Sequence, residues 1–262
     1  MPVAVLYKPL AVGWKSWRRL RQGLRFVLIL SWIGCGLLAL ILLRLLLPWR
    51  TVERCLQPLM PTWMRVACLF IGVGISRAGA LPAAGSLLLS NHVSWLDIVV
   101  IGAQLPVRFV AKSEVRHWPI IGLLAASAGT IFLQRGKRTG DNSSEQIRSK
   151  IQQLLNAGET VLLFPEGTTG CGGELRHFHS RLLPADKAVV PLALAYRGRG
   201  AAAVPFIGRD TFASSLWLIL AEHDLHAHIQ LLPAISGNPK QQASAAQCAV
   251  AAVLYPMPTV EL

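Results

Sequence analysis

The sequence predicts an α/β fold, with a mostly parallel or mixed sheet flanked by helices, preceded by an N-terminal membrane-anchoring helix or helical hairpin. Three observations predict it. A long apolar run lies near the N-terminus, and beyond residue 77 short runs rich in Val, Ile and Leu alternate with helix-like segments, which is typical of a sheet covered on both faces. The length of 262 residues suits one domain of about 200 residues plus an appendage. We therefore divide the chain into a basic segment and anchor, residues 1–76, and a domain, residues 77–262.

The membrane anchor is predicted at residues 26–47, an apolar run interrupted only by Arg44. As a helix this run would measure about 33 Å, enough to cross a bilayer core of about 30 Å, and Arg44 lies close enough to one end to snorkel. A cleavable signal peptide is the rival, but the basic lead is long and no clear cleavage site follows. The positive-inside rule places the N-terminus in the cytoplasm, because only basic charges precede the run: Lys8, Lys15, Arg18, Arg19, Arg21 and Arg25.

A second apolar stretch, residues 66–75, is too short to span a bilayer. It could lie in the membrane interface, or return the chain to the cytoplasmic side as part of a helical hairpin. It could equally be a core helix of the domain. The sequence leaves these possibilities open.

The domain is predicted to contain six buried strands and at least four helices. Short apolar runs predict strands at residues 86–89, 107–111, 130–133, 161–164, 189–195 and 229–232. Helices are predicted between them at residues 95–103, 120–126, 143–157 and 211–220. The stretch from Ser236 onward is rich in Ala and Gln, and is predicted as a helix or a loosely ordered tail.

The charge balance indicates an anionic partner. Lys and Arg outnumber Asp and Glu by 26 to 13, giving a net charge of +13, which suits nucleic acid or anionic lipid. The apolar fraction of 53% favours lipid, because a basic nucleic-acid module needs no long uncharged runs. The five cysteines form neither C-x-x-C pairs nor an even set. Neither a disulfide scaffold nor a zinc site is therefore expected, and a reducing, cytoplasm-facing location fits.

The first candidate for chemistry is the segment Asn91-His92-Val93-Ser94-Trp95-Leu96-Asp97. Five residues of one helix turn through roughly 500°, so His92 and Asp97 can meet only if His92 precedes the helix. Ser94 is a good N-cap, and an acid three positions later reaches back in a capping box. There Asp97 could accept a hydrogen bond from one ring nitrogen of His92 and leave the other as a base. Alternatively, and more commonly for this spacing alone, Asp97 only caps and His92 is an ordinary histidine.

The second candidate is Phe164-Pro165-Glu166-Gly167-Thr168-Thr169-Gly170, directly after a predicted strand. A glycine-containing turn at the carboxyl end of a strand exposes backbone N–H groups that can bind an anion. Glu166 could bind a cation or a hydroxyl, or orient a neighbouring base. The alternative is a simple turn between strand and loop.

Together the two segments resemble the 1-acylglycerol-3-phosphate acyltransferase family, whose marks are an NHxSxxD block and an FPEGT block. Between them, Gly129-Thr130-Ile131-Phe132-Leu133-Gln134-Arg135 resembles that family's G-x-I-F-x-x-R block, and Val189-Val190-Pro191-Leu192 resembles its fourth, proline-containing block. The resemblance covers roughly residues 87–196. Four blocks in the right order make chance agreement improbable.

The resemblance implies a catalytic pair and a binding loop within an acyltransferase domain, residues 77–262. His92 would be the general base and Asp97 its orienting partner, while Arg135, Glu166, Gly167 and Thr168 would bind the polar head of the acceptor. The implied reaction is direct transfer of a fatty acyl group from acyl-CoA or acyl carrier protein to the sn-2 hydroxyl of 1-acylglycerol-3-phosphate, giving phosphatidate. The enzyme would be membrane-bound, at the cytoplasmic face of the inner membrane, and would need no cofactor.

Some features leave other interpretations open. Thr169 stands where many phosphatidate-forming members carry Arg, and the family also resembles lyso-ornithine lipid acyltransferases, whose acceptor has no phosphate. A protein of another class, a non-catalytic anionic-lipid-binding membrane protein, would suit the charge but not the histidine and carboxylates. A nucleic-acid binder lacks a zinc or ribonucleoprotein signature. No metal is expected, since the remaining histidines lack a ligand spacing: His177, His179, His223, His226 and His228.

Overall fold

The computed structural model describes residues 8–133 and 142–256. In these ranges the α-helices are α1 (Lys8–Leu46), α2 (Trp49–Leu56), α3 (Met60–Ile71), α4 (Leu96–Gly102), α5 (Ile121–Ser127), α6 (Asn142–Asn156), α7 (Phe212–Ala221) and α8 (Pro239–Leu254). The strands are β1 (Gly74–Ala78), β2 (Leu87–Ser90), β3 (Val107–Lys112), β4 (Ile131–Leu133), β5 (Thr160–Leu163), β6 (Val189–Arg197) and β7 (His226–Leu231). Short 3-10 helices cover Gln57–Leu59, Ser113–His117 and Arg199–Ala203.

The described strands form one sheet in the order β1-β7-β6-β2-β5-β3-β4. Neighbouring strands are parallel except β6 and β7, which are antiparallel. The prediction of a mostly parallel or mixed sheet is confirmed. Because β2 pairs in parallel with both β5 and β6, the segments that follow these three strands leave the sheet at the same edge.

Helices cover both faces of the sheet, as the central strand β2 illustrates. Leu87, Leu88 and Leu89 have no exposed surface, and successive side chains of a strand point to opposite faces. Leu88 packs into a cluster with residues of α3, α4 and α7. Leu87 and Leu89 pack into a second cluster, with residues of α6 and α8. This two-sided burial explains why the strands read as continuous apolar runs.

All six predicted strands are present, as β2 to β7, and the four predicted helices are α4 to α7. The C-terminal stretch, left open between helix and tail, forms α8, which Asn238 starts with a capping box. The strand β1 was not predicted, because its residues 74–78 include only one large apolar side chain, Ile75. It crosses the boundary that we place between residues 76 and 77, and the division into anchor and domain remains a prediction.

The apolar stretch 66–75 begins in α3 and ends in β1. Ala67, Cys68 and Ile71 of α3 are buried in the core, whereas Leu69 on the other face is 73% exposed. Gly72 ends the helix with a positive φ of 84°, a conformation that favours glycine. One face of α3 is therefore part of the core of the domain, while its other face is uncovered.

The first helix is much longer than the predicted anchor, because α1 begins at Lys8 rather than near Phe26. Arginines in the part of α1 before Phe26 bind the C-terminal end of α7. Arg18 and Arg21 donate to the carbonyl of Ala221, at 3.4 and 2.9 Å. Arg25 donates to the carbonyl of Leu220 at 3.2 Å. Cations at a helix C-terminus are stabilised by its unpaired carbonyls and dipole. Among the described residues, one helix is long and apolar enough to cross a membrane, the part of α1 at Ser16–Leu46.

A buried arginine joins the N-terminal helices to the sheet. Arg108 on β3 forms ion pairs with Glu53 of α2 and with Glu159, which lies just before β5. Gly129 lies against this arginine, and a side chain there would collide with the Arg108 guanidinium. The glycine of the G-x-I-F-x-x-R segment therefore leaves room for the ion pairs.

Candidate functional site

The site forms where β2 and β5 end side by side. The helix α4 begins at Leu96 with Trp95 as its N-cap, so the prediction of Ser94 as the N-cap is wrong by one residue. The reason is a tight first turn, in which the N–H of Asp97 donates to the carbonyl of Ser94 at 3.2 Å. Ser94 is fully buried. His92 precedes the helix, as its contact with Asp97 requires.

The carboxylate of Asp97 binds the imidazole of His92. The distance from His92 Nδ1 to Asp97 Oδ2 is 2.8 Å. The same oxygen accepts hydrogen bonds from the backbone N–H groups of Val93, at 2.6 Å, and Ser94, at 2.9 Å. With Asp97 fully buried, these donors replace the water that a carboxylate otherwise needs. The predicted contact between the two side chains is present, while their roles in a reaction remain predictions.

The loop after β5 holds the backbone of His92 on both sides. Glu166 Oε1 accepts from the N–H of His92 at 2.7 Å, and the N–H of Gly170 donates to the carbonyl of His92 at 2.8 Å. The ring of Phe164 stacks on the imidazole, with centroids 3.9 Å apart and planes 15° apart. The histidine is thus held at its backbone, its ring face and its Nδ1 atom.

Glu166 lies against the backbone of His92 rather than in open solvent. Its second oxygen, Oε2, accepts from the backbone N–H of Arg176 at 3.0 Å, and the residue is buried. Burial raises the pKa of the Glu166 carboxyl above its ordinary value, although the two backbone donors partly oppose that effect. Of the three roles considered from sequence, orientation of a neighbouring base is the one that these contacts support.

The remaining predicted residues form one side of a cavity, with one exception. Gly167 closes a turn with a positive φ of 67° and donates its N–H to the carbonyl of Phe164 at 3.0 Å. Gly167 and Thr168 both line the cavity beside His92. Arg135 lies outside the described residues.

The cavity has a volume of about 1300 Å³ and is lined by both polar and apolar side chains. Its polar lining includes His92, Thr168, Lys112, His179 and Arg181. Its apolar walls are built from α1, α3, α4 and α7, including Ile29, Ile33, Met64, Val99 and Leu216. A site of this kind suits a molecule with a polar head and a long hydrocarbon chain.

Two contacts within the site were missed by sequence reasoning. The hydroxyl of Tyr196, near the end of β6, donates to Asp97 Oδ1 at 2.7 Å. The side chain of Asn91 exchanges two hydrogen bonds with the backbone of Leu194, at 2.9 and 2.8 Å, which ties the end of β2 to β6. No spacing in the sequence indicates either contact, since each joins residues about a hundred positions apart.

No metal-binding cluster of three or more His, Cys, Asp or Glu side chains occurs in residues 8–133 and 142–256. His177 and His179 lie near each other, with ring centroids 5.2 Å apart. His228 is instead bonded to Ser76 at 2.8 Å, and His226 lies near Asp224.

Comparisons with known proteins agree with this geometry. A family model described as Acyltransferase matches residues 75–195. A protein of Pseudomonas aeruginosa named lyso-ornithine lipid O-acyltransferase is 40% identical over 243 residues, which cover 90% of this chain and 93% of the relative. A protein of Neisseria gonorrhoeae named 1-acyl-sn-glycerol-3-phosphate acyltransferase is 36% identical over 135 residues, 50% of this chain and 52% of the relative.

One solved structure has a similar fold. It is the 1-acyl-sn-glycerophosphate acyltransferase PlsC from Thermotoga maritima, with a TM-score of 0.63 and 17% sequence identity. The superposition covers 92% of this chain and 95% of that one. At this level of identity the similarity concerns the fold alone.

Proposed function

Because this chain belongs to the acyltransferase family that includes lyso-ornithine lipid and 1-acylglycerol-3-phosphate acyltransferases, we propose that it transfers a fatty acyl group from a thioester to the hydroxyl of lyso-ornithine lipid. The observation that carries the acyl transfer is the His92–Asp97 contact of 2.8 Å at the wall of a large amphipathic cavity. As a member of an enzyme family, the chain acts on a lysolipid acceptor and an acyl donor, which excludes the non-catalytic interpretation.

The proposed mechanism is direct transfer with His92 as general base. Since Nδ1 binds Asp97, the other ring nitrogen accepts the proton of the acceptor hydroxyl. The alkoxide attacks the thioester carbonyl, the C–S bond breaks, and the leaving thiolate takes the proton back from His92. No covalent acyl-enzyme is needed, and Ser94 is too buried to serve as its nucleophile. The thioester supplies the driving force, so we propose no cofactor and no metal.

The acceptor is proposed from the relatives and from Thr169. The relative that this chain covers almost end to end carries the name lyso-ornithine lipid O-acyltransferase. The hydroxyl of Thr169 donates to the carbonyl of Phe206, at the position where many phosphatidate-forming members carry an Arg that could bind a phosphate. Loss of that cation supports an acceptor without a phosphate. The sequence alone favoured 1-acylglycerol-3-phosphate as the acceptor, so the preference for lyso-ornithine lipid reverses that order.

The second candidate acceptor is 1-acylglycerol-3-phosphate, with phosphatidate as the product. The Neisseria gonorrhoeae relative favours it by name, and the cavity lining includes two cationic side chains that suit a phosphate, Lys112 and Arg181. Arg135, Glu166, Gly167 and Thr168 remain the proposed residues around either head group, with Glu166 acting through the backbone of His92.

We propose that the enzyme is bound to the inner membrane through residues 1–76, with the domain of residues 77–262 facing the cytoplasm. The apolar helix α1 supports membrane attachment, and the basic residues before its apolar part support the orientation. The acyl donor is acyl-CoA or acyl carrier protein.

A panel of two acceptors and two donors tests the proposal. The purified full-length protein is incubated with lyso-ornithine lipid or 1-acylglycerol-3-phosphate, each with acyl-CoA and with acyl carrier protein, and both free thiol and the diacylated product are measured. We expect faster transfer to lyso-ornithine lipid. Equal or faster transfer to 1-acylglycerol-3-phosphate would contradict the acceptor, and absence of thiol release in all four mixtures would contradict the reaction.

Replacing His92 tests the base. We expect His92→Ala to lower kcat by about 10²–10⁴-fold, the usual contribution of a general base, while circular dichroism stays unchanged. The matched control is His226→Ala, because this histidine is exposed on β7 and should keep activity within about twofold. Near-normal turnover by His92→Ala would remove the histidine from the mechanism.

A further inference from the structure

We propose that Tyr196 is a positioning residue, whose hydroxyl holds the Asp97 carboxylate in the orientation that His92 needs to act as a base. This inference rests on the proposed function. Tyr196 lies one position beyond the family match, which ends at residue 195, and it is 99 residues from Asp97 in the chain. It belongs to none of the four sequence blocks.

The two oxygens of Asp97 are held from different sides. Oδ2 accepts from His92 and from the backbone N–H groups of Val93 and Ser94, which all belong to the segment between β2 and α4. Oδ1 accepts from Tyr196 at 2.7 Å, and among the described residues no other hydrogen bond reaches that oxygen. The Tyr196 contact therefore fixes rotation of the carboxylate plane, which the donors on Oδ2 leave less constrained.

The sheet itself sets the position of the tyrosine. β6 and β2 are parallel neighbours, with Ser90 opposite Leu192 in the register, and Asn91 bonds both backbone groups of Leu194. Two residues further along β6, Tyr196 faces Asp97 across the end of β2. A strand held in this way places the hydroxyl more rigidly than a loop would.

Tyr196 is also a donor that keeps its proton. Burial, and then the charge of Asp97, raise the pKa of Tyr196 well above its ordinary value of 10.0. The hydroxyl therefore donates at every pH used for an enzyme assay. A fourth donor spreads the negative charge of Asp97, so its removal strengthens the attraction of the carboxylate for a protonated His92.

Removal of the Tyr196 hydroxyl should shift the pH profile of the enzyme. In Tyr196→Phe, protonated His92 is held more tightly by Asp97, so the acid limb of the kcat profile moves to higher pH. Other ionisable or charged groups lie around the pair. Glu166 accepts from the backbone of His92 and of Arg176, and Cys68 of α3 lies near Tyr196. Lys112, His179 and Arg181 line the same cavity as His92. They are the same in both proteins, so the comparison isolates the hydroxyl.

The experiment compares the full-length wild type, Tyr196→Phe, Asp97→Asn and the double variant with the acceptor that the wild type uses. We expect Tyr196→Phe to lower kcat about tenfold with KM within about twofold, and to move the acid limb upward. In the Asp97→Asn background the same change should have less than a twofold further effect, because a residue that acts through Asp97 is not additive with it. Tyr255→Phe is the matched control, since Tyr255 is an exposed tyrosine whose hydroxyl donates to Gly172 at 3.0 Å.

A kcat of Tyr196→Phe within twofold of the wild type, or a full tenfold further loss in the Asp97→Asn background, would overturn the positioning role. Loss of fold is monitored by circular dichroism and by the midpoint of urea unfolding, so that a fall in kcat with both unchanged is assigned to the lost hydroxyl. A wild type that releases no thiol with any acceptor would instead overturn the proposed function itself.

Discussion

Four hydrogen bonds converge on the carboxylate of Asp97, and sequence could account for part of them. The approach of His92 to Asp97 follows from a histidine before a helix and an acid in its first turn, a local relation that spacing reveals. Tyr196 could not be found in this way, because its contact depends on the order of strands in the sheet. Glu166 was found as a residue of interest, but its partners on His92 and Arg176 depend on how two loops pack.

Glu166 offers a test at the scale of one residue. Glu166→Gln leaves one oxygen to accept from His92 or Arg176 and turns an amide donor toward the other N–H, so we expect a loss of about 1–3 kcal/mol in the free energy of unfolding. Because His92 then loses part of its backbone support, kcat should fall as well. Glu174→Gln, in the same loop but exposed, is the control, and unchanged stability of Glu166→Gln would refute the bridging role.

The raised pKa of Glu166 adds a pH dependence with a defined sign. A carboxyl whose pKa is higher in the folded than in the unfolded protein binds its proton more tightly when folded. Its contribution to stability is therefore largest below the ordinary pKa of 4.5 and declines as pH rises through the window just above that value. Urea unfolding between pH 4 and 7 should show this decline in the wild type and a flatter dependence in Glu166→Gln.

At the scale of elements, sequence periodicity located the buried strands and helices. It did not locate the strand β1 or the polar N-terminal part of α1. The continuous apolar runs of β2, β5 and β6 are unmistakable, because both faces of the sheet are covered. The edge strand β1 has no such run, since most of its side chains are exposed. The extension of α1 back to Lys8 was missed because its arginines find their partners on α7, a helix that lies about 200 residues later.

Arg108 offers a test of how the N-terminal helices are held. Its guanidinium is buried while Glu53 and Glu159 are partly exposed, with side-chain exposures of 9, 26 and 34%. Replacement by Met leaves two carboxylates that water can reach, so we expect about 2 kcal/mol of destabilisation, below the 3–5 kcal/mol of a fully buried pair. Arg199→Met, which removes an exposed pair with Asp224, should leave the midpoint of urea unfolding close to that of the wild type. Equal midpoints of urea unfolding for the two variants would contradict this.

At the scale of the whole molecule, the cavity joins His92 to helices of the N-terminal region. No sequence pattern could assemble it, because Ile29 and Ile33 of α1 meet Met64, Val99 and Leu216 only after the chain has folded. The same wall contains both the apolar helix that we propose for membrane attachment and the residues beside His92. In our proposal, α1 therefore takes part in both membrane attachment and substrate binding.

Labelling of the native cysteines can test the proposed orientation of the domain relative to the membrane. Cys171 and Cys248 are exposed on the domain, so a membrane-impermeant maleimide should label them in inverted inner-membrane vesicles and not in intact spheroplasts. Cys68 is buried and should react only after denaturation. Single-cysteine variants separate the signals, and labelling of Cys171 or Cys248 in spheroplasts would place the domain on the opposite side of the membrane.

The arginines that join α1 to the end of α7 bear on how the enzyme meets its lipid. Three guanidinium groups bind carbonyls of residues 220–222, so α1 is held rigidly against the domain and is not joined to it by a flexible linker. With membrane attachment through α1, as we propose, this rigid contact would fix the depth of His92 relative to the bilayer plane. We then expect acceptors whose hydroxyl lies at another depth to be poorer substrates, whatever their head group.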